Sequence, residues 1–488
     1  MNSKKVLFLN LPYIFKISRT SRWPEKTKSG TLYYPYWLAM AAGYCKKYGY
    51  SVNLVDCIAK NYNIKDVISF VKDFIPDVIV TEITTPTCYY DFNTINEIHK
   101  TFPGVKIYVG GTHATALPET VLNECRGIDL ILRNEYEYTL LEILSGKSLN
   151  EIMGITYRES ESIVKNEDRL DLNDLDQIPF VSEVYKEFLD FKDYFYAFAK
   201  HPMIQIFSSR GCPHKCNFCS YPQTMIGHSF RGRSVKNFVD ELEYIKSSLP
   251  EIQEIFIEDD TFTVDIRRVN EICDEIIQRK LNITWSCNSR VNVPFETMQK
   301  MKLSGCRLLV VGFESGNQNV LNETKKGITL EQSKQFASNA KKLKIKVFGC
   351  FMLGLKGDNL ESIEQTFNFA KKLYPDMVFF QQVVPFPNTE FYQWAKENKY
   401  LSTEDYSKWL NENGYLNCLI NYPYASSEEI EKLRDKLMSR YYFSFTYIFK
   451  TFLTNLSWQE FKRVTRAGFT YIIFRIKKTR VFKGIRNG

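Results

Sequence analysis

No run of about 18 or more apolar residues occurs in the 488-residue chain, so no transmembrane helix is expected. The opening residues, MNSKKVLFLNLPY, pass from two lysines straight into a short apolar run and carry no small-residue cleavage site. A signal peptide is not expected either. The fingerprint GxGxxG, which a dinucleotide site places after the first strand, is missing. Asn10-Leu11-Pro12-Tyr13 stands there and argues against a NAD or FAD site. The twelve cysteines are scattered, without a disulfide-scaffold pattern, and fit a reducing cytoplasm. A generally basic surface is also lacking. From Arg440 onward eleven Lys/Arg face one acid, Glu460, so that tail carries +10; with +8 in total, the rest of the chain sums to −2. No nucleic-acid partner is indicated, only a basic tail.

What is present is enough for about two to four domains, with 44% hydrophobic residues to build a large core. The chain is organised around Ser209-Arg210-Gly211-Cys212-Pro213-His214-Lys215-Cys216-Asn217-Phe218-Cys219-Ser220, which follows an apolar run over 203–207 that reads as a buried strand. Cys212, Cys216 and Cys219 have the spacing CxxxCxxC. Thiolates hold iron–sulfur clusters, and three on one loop would ligate three irons of a cubane and leave the fourth open. S-adenosylmethionine (SAM) is the molecule expected there, chelating through its amino and carboxylate groups. An electron passed through the cluster would cleave its sulfonium and release a 5′-deoxyadenosyl radical, chemistry that the protein orients and shields. The alternative is structural zinc with His214 or His228 as a fourth ligand, although no second CxxC or HxxxH partner follows.

Residues 1–145 alternate short apolar runs (6–9, 52–55, 78–80, 106–109, 128–132) with helical patterns. This predicts a doubly wound parallel sheet that binds its ligand at the strand carboxyl ends. Gly110 and Gly111 follow the fourth run, in Val109-Gly110-Gly111-Thr112-His113, and let a backbone approach a bulky ligand closely; a tight turn is the plain alternative. Residues 146–200 read as a connector in which 154–158 and 162–164 pair as a hairpin. Residues 201–400 alternate again, with strands near 203–207, 254–257, 284–290, 306–312, 346–353 and 377–384. Six strands with helices between them predict a partial (β/α) barrel, whose site lies at the strand carboxyl ends. Polar residues fall there: Glu258, Asp259 and Asp260, then Ser286, Asn288 and Arg290, then Glu314 and Ser315. One of the three acids would accept the SAM ammonium, with the choice among them open. Ser286, Asn288 and Arg290 would hold carboxylate or ribose, and Glu314 and Ser315 nearby hydroxyls.

The cysteine loop resembles that of the radical SAM superfamily. GGTHATALPE, with Tyr33-Tyr34-Pro35 before the first helix and Asn134-Glu135-Tyr136-Glu137 after the fifth strand, looks like the cobalamin-binding domain of cobalamin-dependent radical SAM enzymes. Asp259-Asp260-Thr261-Phe262, Glu314-Ser315-Gly316 and Gly354-Leu355-Lys356-Gly357-Asp358 are similar to motifs of their barrels. The resemblance covers roughly 1–145 and 202–400, and extends loosely to a tail like that of the anaerobic magnesium-protoporphyrin cyclase and hopanoid-modifying group. It implies a 4Fe–4S cluster on Cys212, Cys216 and Cys219. It implies SAM contacts from Phe218, Asp259, Asp260, Ser286, Asn288, Arg290, Glu314 and Ser315, and cobalamin contacts from Tyr34, Pro35, Gly110, Gly111, Thr112, His113, Glu135 and Glu137. Two stretches depart from the family. Its DxHxxG reads Asp56-Cys57-Ile58-Ala59-Lys60-Asn61, so Ile58 stands where a cobalt-ligating histidine would be, and its GEGE reads NEYE.

The reading is therefore an α/β chain in four parts: a cobalamin-binding domain (1–145), a connector (146–200), a radical SAM partial barrel (201–400) and a helical, basic extension (401–488). The expected activity is methylation of an unactivated carbon in a small-molecule or lipid-like substrate, with an external electron donor. Oxidation or cyclisation without methyl transfer is the second expectation, and a metal-stabilised binding protein the third. A cytoplasmic location is expected, with peripheral contact at the inner membrane face through the aromatic, basic tail; a helical cap on the barrel is the alternative for that tail.

Overall fold

Each apolar run of the N-terminal third becomes a strand: β1 Lys5–Asn10, β2 Ser51–Asp56, β3 Val78–Glu82, β4 Lys106–Gly110 and β5 Leu130–Leu132. They pair in parallel in the order β2-β1-β3-β4-β5. β3 is buried along its whole length, as a central strand covered on both faces must be. The expected hairpin forms, β6 Ile155–Glu159 with β7 Ser162–Lys165, and joins β5 antiparallel, so the sheet has seven strands and runs past residue 145. The strand order reverses between β1 and β3, and the crevice above their carboxyl ends is where a doubly wound sheet takes its ligand. The computed structural model describes residues 4–448, and the expectation for the tail beyond them lies outside the described residues.

Between β1 and the helix Tyr36–Lys47, residues 11–35 form an irregular strap. Such a segment needs partners for its backbone and charges, and it finds them in every part of the chain. Arg19 pairs with Asp91 at 2.5 Å, Lys26 N–H donates to Gly414 O at 2.8 Å, and Leu416 N–H donates to Glu25 Oε2 at 2.8 Å. The helix Tyr36–Lys47 has no polar face over its first ten residues and is buried all round, wedged between the sheet and the connector helix Val181–Phe188. Tyr34 stacks on Tyr185 and Tyr194 (ring centroids 4.4 and 3.9 Å) and donates its hydroxyl to Met203 O at 2.7 Å. The N-terminal domain, connector and barrel thus share one core.

In the second half the chain gives β8 Met203–Ile206, then a short antiparallel ribbon of β9 Ser209–Arg210 with β10 Arg231–Gly232 that closes the base of the cysteine loop. β11 Glu254–Ile257, β12 Trp285–Ser289, β13 Cys306–Glu314, β14 Lys346–Leu353 and β15 Met377–Gln382 follow. With β8 they make a six-stranded parallel sheet in the order β15-β14-β13-β12-β11-β8, the partial barrel expected. Its exposed edge, β15, is covered by the helix Ser427–Tyr442, where the Tyr442 hydroxyl accepts from Val378 N at 3.0 Å and donates to Val378 O at 2.6 Å. Among the described residues no helix is long and apolar enough to cross a membrane.

Candidate active site

The cysteine loop leaves β8 at its carboxyl end and projects between the two sheets. Asp259 fixes the approach to it: Oδ1 accepts from the backbone of Ser208 (2.6 Å) and Ser209 (3.1 Å), and Oδ2 from both serine hydroxyls (2.5 Å each). Four bonds use the acceptor capacity of a carboxylate, so Asp259 is a support for the loop and does not take the SAM contact expected of it. Each cysteine has its own neighbour. Thr261 Oγ1 lies 3.9 Å from Cys212 Sγ, Lys326 is in electrostatic contact with Cys216, and Arg22 with Cys219. Burial pushes the Cys219 thiol up to about 12 and Cys216 adds to this, while Arg22 opposes it. Of the two histidines open to a zinc reading, His228 is engaged through both ring nitrogens, which bond Cys212 O (3.0 Å) and Gln223 Oε1 (2.9 Å). His214 is driven down to about 4 by burial and the charges of Arg290 and Lys326.

Around the loop, the carboxyl ends of β11 to β13 bring Glu258, Asp260, Asn288, Arg290 and Glu314 together. Glu258 is held at about 7 by burial, which Arg22 counteracts. Asn288 Nδ2 donates to Asp259 O at 3.1 Å. Arg290 donates from Nη2 to Lys326 O while its buried Nε has no partner. Glu314 adopts φ +60°, a left-handed conformation a non-glycine residue keeps only when its surroundings demand it. The demand is an ion pair with Lys326 at 2.7 Å, and Gly312 makes room for it: a Cβ there would sit 2.3 Å from Glu314 Oε1.

Two residues expected at the SAM site, Ser286 and Ser315, have their hydroxyls engaged elsewhere, and a third, Phe218, packs beside the loop. Ser286 is near the amino end of β12, donating to Glu254 Oε1 at 2.7 Å beneath the Glu254–Arg307 pair, at the opposite end of the barrel from the cysteines. Ser315 is buried against the helix Leu360–Leu373, 3.1 Å from Thr366 Oγ1. Phe218 packs into an apolar cluster with Val320, Met352 and Leu355.

On the other side of the loop, β4 ends in Gly110 and Gly111. Gly111 has φ +97° and no space for a side chain, since a Cβ would lie 2.5 Å from Ile83 O. The helical turn Thr112–Ala116 then packs directly on Pro222–Ile226, the turn that follows the cysteines. Tyr136 explains the departure from GEGE: its ring lies over Gly110 and its hydroxyl donates to Glu82 Oε1 at 2.8 Å. Burial raises that Glu82 carboxyl to about 8. Ile58 is buried in the short helix Cys57–Lys60, which Asp56 caps. Pro35 sits at the start of the helix Tyr36–Lys47, and Tyr34 is taken up by the shared core. Glu135 and Glu137 do not face the glycine turn. They are buried against Arg210 and Arg231, the two residues opposite each other in the β9–β10 ribbon. Arg210 meets Glu137 Oε1 at 2.5 Å and Glu135 Oε2 at 3.1 Å, and Arg231 meets Glu135 Oε1 at 2.6 Å.

His113 is fully buried, with Nδ1 3.2 Å from Thr85 Oγ1, Nε2 without a partner, and the Tyr406 ring of the extension edge-on at 5.1 Å. Burial lowers it from 6.5 to about 3, so the folded chain keeps it neutral while the unfolded chain protonates it below 6.5. The unfolded state then binds more protons, and stability is lost as pH falls from 6.5 towards 3, by about 1.4 kcal/mol per unit. Moving from pH 7.5 to 5.5 is expected to lower the urea midpoint by a larger amount in the unmodified chain than in His113→Gln. Equal falls in the two would show that His113 does not titrate this way.

Residues 206–370 match the model of the Radical SAM superfamily, and residues 26–144 that of the B12 binding domain. An uncharacterized methyltransferase of Pyrococcus horikoshii is 32% identical over 399 residues, covering 80% of this chain and 84% of its own length. The chain belongs to the cobalamin-dependent radical SAM enzymes. The anaerobic magnesium-protoporphyrin IX monomethyl ester cyclase of Rubrivivax gelatinosus is 28% identical over 372 residues, 74% of this chain and 66% of its own length. Among solved structures, the radical S-adenosylmethionine methyltransferase TsrM from Kitasatospora setae, with cobalamin and a [4Fe-4S] cluster bound, has the same fold. It superposes with a TM-score of 0.70 at 14% identity, over 90% of this chain and 89% of that one.

As a cobalamin-dependent radical SAM enzyme, the chain uses a 4Fe–4S cluster, SAM and cobalamin. The residues present fit these groups. Three thiols on one loop, in electrostatic contact with one another and beside the cations Arg22 and Lys326, suit an anionic cluster. At the B12 domain, the Gly111 turn with its closely approached backbone and the unpartnered Nε2 of His113 suit a polar ligand tail. Sequence reasoning missed Arg22 and Lys326. Lys326 carried a signal, twelve residues after Glu314 in a polar turn beside the barrel mouth, and Arg22 carried none.

Proposed function

We propose that this enzyme methylates an unactivated carbon of a small-molecule or lipid-like substrate. The observation that carries the reading is the direct packing of Thr112–Ala116, in the B12 domain, on Pro222–Ile226, in the turn after the cysteines. A methyl carrier and a radical source serve one carbon only if both reach the same space. When bound, the cluster with SAM supplies a hydrogen-abstracting radical and cobalamin supplies a methyl carrier.

The chain's own residues then do the following. Cys212, Cys216 and Cys219 hold the cluster. Glu258 and Asp260 accept the SAM ammonium. Asn288 and Arg290 face its carboxylate and ribose, and Glu314 with Lys326 forms the far wall. Gly110, Gly111, Thr112 and His113 cradle cobalamin. Glu135 and Glu137 act through Arg210 and Arg231 by fixing the cluster loop to the B12 domain. Reducing electrons come from an external donor.

Oxidative cyclisation is a second reading, favoured by the 28% identity to the Rubrivivax gelatinosus cyclase. Methyl-labelled SAM separates the two. In extracts that supply the substrate, the label is expected in a product heavier by one methyl group, and a product without label would support cyclisation.

A further inference from the structure

Arg22 belongs by sequence to the strap after β1, inside the stretch that precedes the first helix of the N-terminal domain, yet its guanidinium lies in the mouth of the barrel. Nη1 meets Glu258 Oε1 at 3.1 Å and Nη2 meets Asp260 Oδ1. The carbon between them sits over the Tyr221 ring at 5.1 Å, two residues past Cys219. Among the described residues no other cation pairs with either acid. The strap is pinned on both sides of Arg22: by the buried Arg19–Asp91 pair before it, and by Trp23, packed against the cluster of Val384, Phe386 and Trp409, directly after it.

Two carboxylates on neighbouring strand-end residues repel each other and resist burial unless a cation stands between them. A guanidinium is suited to this, since its planar fork engages one oxygen of each acid at once. With both acids ionised, two carboxylates and one arginine leave one net negative charge, which matches one ammonium.

We infer that Arg22 of the N-terminal domain completes the SAM site of the barrel, holding Glu258 and Asp260 side by side as the receptor for the SAM ammonium. Arg22 is a positioning residue, acting through the two acids, and the inference rests on the proposed role of that pair. SAM affinity thereby depends on how the B12 domain sits on the barrel, because the strap that carries Arg22 is anchored to both.

The test is equilibrium binding of SAM to the full-length, cluster-reconstituted protein and its variants, with iron and cobalamin content measured on each. R22Q is expected to weaken SAM binding by about tenfold, the scale of a lost charge-assisted contact. Asp260→Asn should weaken it as well, and the double variant should lose less than the two single losses combined, because Arg22 acts through that acid as well as through Glu258. A purely structural arginine would instead give additive losses. If R22Q does not load iron, R22K decides: it keeps the charge but not the fork, so weakened binding is expected. Affinity at or above the unmodified level in R22Q, or unchanged in R22K, overturns the role of Arg22. Unchanged affinity in Asp260→Asn removes the acid-pair reading itself, and the inference with it.

Discussion

Replacing any one of Cys212, Cys216 and Cys219 with alanine is expected to abolish SAM cleavage while leaving the chain folded. A site-differentiated cubane needs all three protein thiolates, because the fourth iron must stay open. The loop does not depend on the sulfurs for its shape. Asn217 Nδ2 donates to Glu323 O at 3.0 Å, Phe391 N–H donates to Asn217 O at 3.0 Å, and His228 meets Cys212 O at 3.0 Å, all within or beside the loop and none through a thiol. Anaerobically reconstituted protein should hold about four irons per chain, and each variant far less. The circular dichroism of the variants should match that of the unmodified chain. A variant that still releases 5′-deoxyadenosine at an undiminished rate would show that the loop does not hold the reactive cluster, and zinc in place of iron in the unmodified protein would do the same.

Glu137→Gln is expected to destabilise the junction by about 3 kcal/mol. Arg210, Arg231, Glu135 and Glu137 have side chains only 3 to 6% exposed, and the four charges balance, with Asp171 at the rim 3.7 Å from Arg231. Neutralising Glu137 leaves a buried arginine with half its compensation. Removing both members in Arg210→Met/Glu137→Gln leaves the Arg231–Glu135 pair intact and should be less harmful than the single change, since an orphaned charge costs more than an absent pair. Urea unfolding of the three proteins measures this. A double variant less stable than Glu137→Gln would mean that Arg210 contributes through its contacts with Met40 and Trp37, not through its charge.

The two sheets were legible because each strand is a short apolar run with polar residues at its carboxyl end, a pattern set by burial on both faces. The hairpin 155–165 was legible as a pair but not as the edge of the first sheet, because antiparallel addition to β5 leaves no mark on the hairpin itself. Site residues were legible as types at strand ends but not as orientations. Ser286 and Asn288 are two apart on one strand; Ser286 turns to Glu254 near the amino end while Asn288 reaches the mouth. Asp259 and Asp260 are adjacent just past the end of β11, yet one goes into the support of the cysteine loop and the other to Arg22. Glu135 and Glu137 were read as ligand contacts because the partners that claim them, Arg210 and Arg231, lie more than seventy residues away. Arg22 was invisible for the same reason, since its acids are 236 and 238 residues further on.

The most direct measurement is a joint count of the two products made from SAM while substrate turns over. Methyl donation leaves S-adenosylhomocysteine and radical generation leaves 5′-deoxyadenosine, so one chain doing both should accumulate the two together, in step with a product heavier by one methyl group. A product that rises with 5′-deoxyadenosine but without S-adenosylhomocysteine would contradict methyl transfer and leave an oxidising or cyclising enzyme on the same fold.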